Sequence, residues 1–129
     1  MIGKVINTLL TANAGLTALV PAVRIFPYVM NEGTPLPAII YTIDSLTPEY
    51  DKDGWNEDEV SFSVVSFSGD YANLQSIVQQ VRAALEGKRG TSNGITYHKI
   101  YLSNQTEGYN TTEDVFLNKL TFRVIVNNY

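Results

Sequence analysis

Cysteine is absent from all 129 residues. That excludes disulfides, thiol catalysis, and zinc or iron–sulfur sites built on thiolates. Charge is sparse: Asp, Glu, Lys and Arg make up 17 % of the chain, and they sum to −4 at pH 7. So few cations exclude tight binding of double-stranded DNA, because affinity for phosphate comes mainly from Lys and Arg. No run approaches the ~18 apolar residues of a membrane span, and the opening "MIGKVINTLL" is too short and too polar for a signal peptide. These absences point to a chain made in a cytoplasm, where the sequons at Asn104 and Asn110 carry no meaning. What is present is 44 % hydrophobic residues in 14.3 kDa. One domain over residues 1–129 is the expectation, burying roughly two thirds of its unfolded surface.

Ile2, Val5, Ile6, Leu9 and Leu10 recur at helical spacing and predict a helix over 2–12. "NAG" (13–15) reads as its stop, with one more turn in "LTALV" (16–20). "VRIFP" (23–27) is a short extended piece, and 28–37 is a loop. Strands follow at 38–46 and 58–68, with Val60, Phe62 and Val64 on one face of the second and Ser61 and Ser63 on the other. Asp70 caps a helix over 71–86 whose stripe is Tyr71, Leu74, Ile77, Val78, Val81 and Leu85, and Gly87 ends it. A turn at 87–94, a strand at 95–103, a polar connector at 104–114 and a strand at 115–126 complete the chain. In the last, Phe116, Leu120, Phe122, Val124 and Val126 are expected to face inward.

Two hairpins joined by a crossover helix give an α+β fold: a mixed, mainly antiparallel sheet with two helices packed on one face. The crossover, right-handed as nearly all are, makes strand 95–103 parallel to 58–68. The two polar connections, 48–58 and 104–114, must then turn at opposite ends of the sheet.

Six of the 13 carboxylates fall within "PEYDKDGWNEDEV" (48–60). In a calcium-loop frame starting at Glu49, Asp51 and Asp53 take positions 3 and 5, and Gly54 the required glycine. Position 12, however, is Val60, with Glu59 one residue short, and both flanks read as strands. The stretch therefore reads as a solvated hairpin loop and not a metal site. Trp55 at its tip is a candidate anchor for a protein partner. The expected contact residues are Glu49, Asp51, Asp53, Trp55 and Glu57.

His98, the single histidine, is expected mid-strand with no acid or hydroxyl nucleophile near it in sequence. "GKRGTSNG" (87–94) closes a helix and opens a strand, the reverse of a P-loop. Its Lys88 and Arg89 suit the negative end of a helix dipole. Tyr41, Tyr97 and Tyr101 lie in strands, and core packing and an interface are both open to them. No catalytic, cofactor or metal residue emerges.

The order of elements carries a further signal. "LTALVPAVRIFPYV", "PLPAIIYTIDS" and "VSFSVVSFSGDYANLQSIVQQVRAALEG", followed by a glycine turn and two strands, resemble the tail-completion (tail-terminator) proteins of long-tailed bacteriophages. The matching positions are Arg24, Ile25 and Pro27; Pro37 to Ser45; and Arg82, Ala83 or Ala84, Leu85 and Gly87. The likeness spans about residues 2 to 126. It departs at Pro21-Ala22, where the family often has a glycine, and at the acidic stretch, which is longer and more charged. The resemblance implies a non-enzymatic structural protein of the virion. It implies a ring, hexameric in the family, that caps the tail tube at the head–tail junction and meets the head connector. Its partners would be further copies of itself, the tube protein and the connector protein, with no cofactor, no membrane and no tight DNA binding. The residues alone indicate an acidic binding or assembly module, for which a ferredoxin-like protein-binding or regulatory domain is the alternative.

Overall fold

In the computed structural model the described residues are 2–30, 33–50, 56–92 and 94–127. The chain runs α1 (Ile2–Ala12), α2 (Ala14–Leu19), a single 3-10 turn (Ala22–Arg24), β1 (Ile25–Pro27), β2 (Ala38–Tyr50), β3 (Asn56–Ser68), α3 (Tyr71–Leu85), β4 (Gly90–Ser92), β5 (Ile95–Tyr97), β6 (Tyr101–Asn110) and β7 (Val115–Asn127). The expected α+β class holds. The sheet order is β1-β2-β3-β7-β5-β4, and β6 also pairs with β7. Only β1 with β2 is parallel.

The helix stripe packs where its spacing places it. Leu74, Ile77, Val81 and Leu85 of α3 and Val5, Ile6 and Leu10 of α1 are buried over the even-numbered face of β3 and β7, where Val60, Phe62, Val64, Leu120, Phe122 and Val124 have no more than 1 % exposure. Phe62 and Phe122 are register partners, and their rings stack at 5.4 Å and 19°. The expected inward set on β7 holds, with Phe116 partly buried against the core, and gains one member: Asn118 lies inward and fully buried, where its amide donates to Glu107 Oε1 at 3.1 Å.

The end of α3 follows from its residues. Asp70 accepts from the Ala72 amide at the N-cap. At the other end Gly87 adopts φ +80°, its amide donates to Ile100 O at 2.8 Å, and the Ile100 amide returns a bond to Lys88 O at 2.9 Å. A Cβ at Gly87 meets nothing within 4 Å. Gly87→Ala is therefore strained by its backbone and not by crowding, with a cost of roughly 1–2 kcal/mol. Chemical denaturation checks it: no loss of stability would mean that the turn relaxes to negative φ.

The first helix ends at Ala12, before "NAG" as expected, and Asn13 has a second role there: its side chain caps α2 by accepting from the Leu16 amide at 3.0 Å. Several sequence expectations are corrected. The segment 87–94 is not only a turn, since it contains β4, which pairs with β5. The strand expected over 95–103 is broken at 98–100, so His98 is an exposed residue in the break, its amide donating to Ile125 O. The polar connector 104–114 is mostly strand: β6 continues to Asn110, and the turn is confined to 111–114.

Candidate assembly surfaces

The acidic stretch is the largest correction. β2 runs past Leu46 to Tyr50 and β3 begins at Asn56, with the register kept as Thr47↔Glu59, Pro48↔Asp58, Glu49↔Glu57 and Tyr50↔Asn56. The loop expected over 48–58 is therefore strand at 48–50 and 56–58, and the connection between them, 51–55, lies outside the described residues. The strands are held because β3 pairs on its other side with β7, through Glu57↔Asn127, Asp58↔Val126 and Glu59↔Ile125. Both flanks are strands, so the EF-hand geometry, which needs helices, fails. Among the described residues no group of three or more metal-ligating side chains comes together.

The expected contact residues separate accordingly. Glu49 stands on β2 opposite Glu57 on β3, so the register aligns two like charges at the far end of the hairpin. Asp51, Asp53 and Trp55 lie outside the described residues. Tyr41 and Tyr97 are core residues at 7 % and 6 % exposure, while Tyr101 is 46 % exposed on β6.

The outer, helix-free face of the sheet carries polar chemistry that sequence reading missed. A bulge between Ile43 and Ser45 presents Asp44, which accepts from the Thr42 hydroxyl at 3.0 Å and from the Ser63 hydroxyl. Ser63 also approaches the Thr121 hydroxyl at 3.3 Å and is completely buried, although it faces away from the helices. Below it, Glu59 and Arg123 approach at 3.6 Å beside Ser45, Thr47 and Ser61. This pair is half-exposed and contributes at most about 1 kcal/mol. The signal for Asp44 was an acid inside an otherwise apolar strand, a usual mark of a bulge or a side-chain bond.

At the β6–β7 end, Glu107 gathers donors: the Tyr71 hydroxyl at 3.0 Å, the Gln75 amide and the Asn118 amide, each at 3.1 Å. Its carboxylate accepting from Tyr71 raises that phenol above the ordinary tyrosine value. Tyr71 and Tyr109 both tilt against Phe116, and the Tyr109 hydroxyl donates to Asp114 in the turn. On α3, Arg82 and Glu86 form a forked pair at 2.8 and 3.0 Å, which lowers the Glu86 carboxyl. These bonds tie β6, β7 and α3 together at the surface.

The two hairpins point in opposite directions. The β2–β3 ladder ends at Tyr50↔Asn56, past the Glu57↔Asn127 end of the β3–β7 ladder, while the 111–114 turn lies beyond the Ser68↔Phe116 end. The topological expectation is borne out.

The sheet's open edges also differ. Beyond Tyr41, β2 has no strand on its outer side among the described residues. Ladder alternation, fixed by Tyr28 N–H donating to Tyr41 O and His98 N–H donating to Ile125 O, turns Leu46, Pro48 and Tyr50 outward. Pro48 thus removes a donor on the unpaired side, a common guard on an edge strand. The outer edge of β6 is likewise unpaired among the described residues, turns the backbone of Gln105, Glu107 and Tyr109 outward, and contains neither proline nor lysine.

The described residues thus form a helix-backed, mixed sheet with opposed hairpins. Residues 4–127 match the family described as Tail completion protein gp17, and the chain belongs to that family. It is a structural protein of a phage-type tail. Its fold is similar to a chain from a structure titled "Virion of native gene transfer agent (GTA) particle", with a TM-score of 0.81 at 18 % identity over 95 % of this chain and 92 % of that one. No curated protein sequence matches it. No helix among the described residues is long and apolar enough to cross a membrane.

Proposed function

We propose that this chain acts in a virion as a ring, six copies in the family's manner, that ends the tail tube and joins it to the head connector. The observation that carries the reading is the opposition of the two hairpins across one sheet. With the sheets standing along the ring axis, the β2–β3 turns crowd one axial face and the β6–β7 turns the other. One face then meets the tube protein and the other the connector protein. Family membership supports this over a regulatory ferredoxin-like module, and the similar fold from a gene transfer agent virion agrees with it.

The role we propose is non-enzymatic, in keeping with the structural tail-completion family. Net charge −4 also suits a ring through which DNA passes, since few cations are offered to displace counterions. The test is removal of the gene from the phage or element that carries it. Electron micrographs should show filled heads and separate tails, the tails irregular in length, and added purified protein should restore joining. Intact particles of normal length from the deletion overturn the proposal.

A further inference from the structure

We infer that the unguarded edge of β6 in one copy docks into a groove between α1 and β1–β2 of the next copy. The inference rests on the ring reading and names the surfaces that build it. The groove has a volume of about 370 Å³; Lys4, Asn7 and Thr8 form one wall, and Tyr28, Tyr41 and Ile43 the other. Beside it, Val23, Tyr28 and Val29 are 80 %, 56 % and 76 % exposed, a high exposure for large apolar residues so close together in the chain.

Three observations select a second copy of this chain as the occupant. The first is charge. Among the described residues, Lys4 is the one charged side chain that lines the groove, and Glu107 is the one charged side chain on β6. The two surfaces therefore carry opposite charges.

The second is chemistry. β6 presents outward amides and carbonyls at Gln105, Glu107 and Tyr109. The Lys4 ammonium and Asn7 amide can donate to such carbonyls, and the Thr8 hydroxyl can accept from such amides.

The third is height. The register links Tyr41 to Val64, Leu120 and Gln105, and Ile43 to Phe62, Phe122 and Leu102. The groove and the middle of β6 thus occupy the same rows at opposite edges of the sheet. Contact between two different surfaces at one level is heterologous and can close into a flat ring; a large offset would climb into a helix.

The absence of native cysteine makes the test clean. Thr8 and Gln105 are both exposed, so Thr8→Cys and Gln105→Cys should leave the fold intact. Oxidised at high concentration, each single variant should stay uncrosslinked, their mixture should give disulfide dimers, and the double variant should give a ladder that ends at the ring. Self-linking of either single variant at the level of the mixture overturns the edge pairing. So does the absence of links in the mixture while the parent chain sediments as an oligomer, and that result leaves the ring reading standing. A parent chain that remains monomeric up to millimolar concentration also overturns the inference, whereas failure of the ring reading would show separately as normal particles from the gene deletion.

Discussion

Phe62→Ala will destabilise the protein by about 3–5 kcal/mol, the cost of emptying a fully buried aromatic site. Phe62 lies on the central strand β3, between β2 and β7, and under α3. Its ring stacks on Phe122, its register partner, so truncation removes an aromatic pair as well as buried area. A domain of ordinary stability has only about 5–15 kcal/mol in total. The variant should therefore unfold at a much lower urea midpoint with the slope retained. Leu74→Ala, on the helix that covers this strand, should lose about 2–5 kcal/mol. As a control, Thr47→Ala on the exposed outer face should change stability by no more than about 0.5 kcal/mol. A Phe62→Ala loss below about 1 kcal/mol would mean that the core collapses around the site or that the sheet face is wrongly assigned.

What was legible in the sequence follows the burial. α1 and α3 bury one stripe each, so period 3.6 shows in their residues, and both were found to within a residue. β3 and β7 are one-sided near the core, so the alternation of Val60, Phe62 and Val64 was visible. β6 was read largely as connector because nearly all its positions are exposed, and an edge strand without a buried face leaves no periodic mark. The end of β2 beyond Leu46 and the first two residues of β3 are hidden for a different reason. Pro48, Glu49 and Glu57 are poor strand residues individually. Their conformation is set by pairing with β7 on the far side of β3, which local sequence does not display. The stop at Asn13 is legible, but its capping of α2 is not, because asparagine serves both ends of helices and the cap depends on the Leu16 amide.

Candidate contacts were harder to read than the fold. Clustered acids drew attention to 48–60, and that stretch does form one of the two hairpins. The features that separate the edges were hidden until the register was known. Pro48 acquires meaning only when its missing N–H is seen to face outward on an unpaired edge. The contrast between Lys4 in the groove and Glu107 on β6 matters only because the sheet order puts β1–β2 and β6 on opposite sides of β3–β7.

Shortening the β2–β3 hairpin tip is expected to abolish head–tail joining while the fold survives. Tyr50 and Asn56 are register partners, so five residues, 51–55, connect the two strands. A two-residue Asn-Gly turn closes antiparallel strands with the twist they prefer. Replacing 51–55 by Asn-Gly therefore leaves the ladder from Tyr50↔Asn56 inward intact, together with every core residue. It removes Asp51, Asp53 and Trp55, the proposed contacts at the tip. Stability should change by no more than about 1 kcal/mol, because surface substitutions away from the core are usually near neutral. Function should change far more if Trp55 is an anchor, since a few such residues supply most of an interface's binding energy. The measurement is joining of purified heads and tails with the parent and shortened chains, alongside thermal unfolding and sedimentation of each. A shortened chain that folds, keeps the parent's oligomeric state and does not join heads to tails places an axial contact in the tip. A shortened chain that joins them as well as the parent refutes that contact and makes the acidic tip a solvated end of the hairpin. Loss of oligomerisation would instead move the tip from the axial face to the contact between neighbouring copies, against the docking of β6 into the α1 groove.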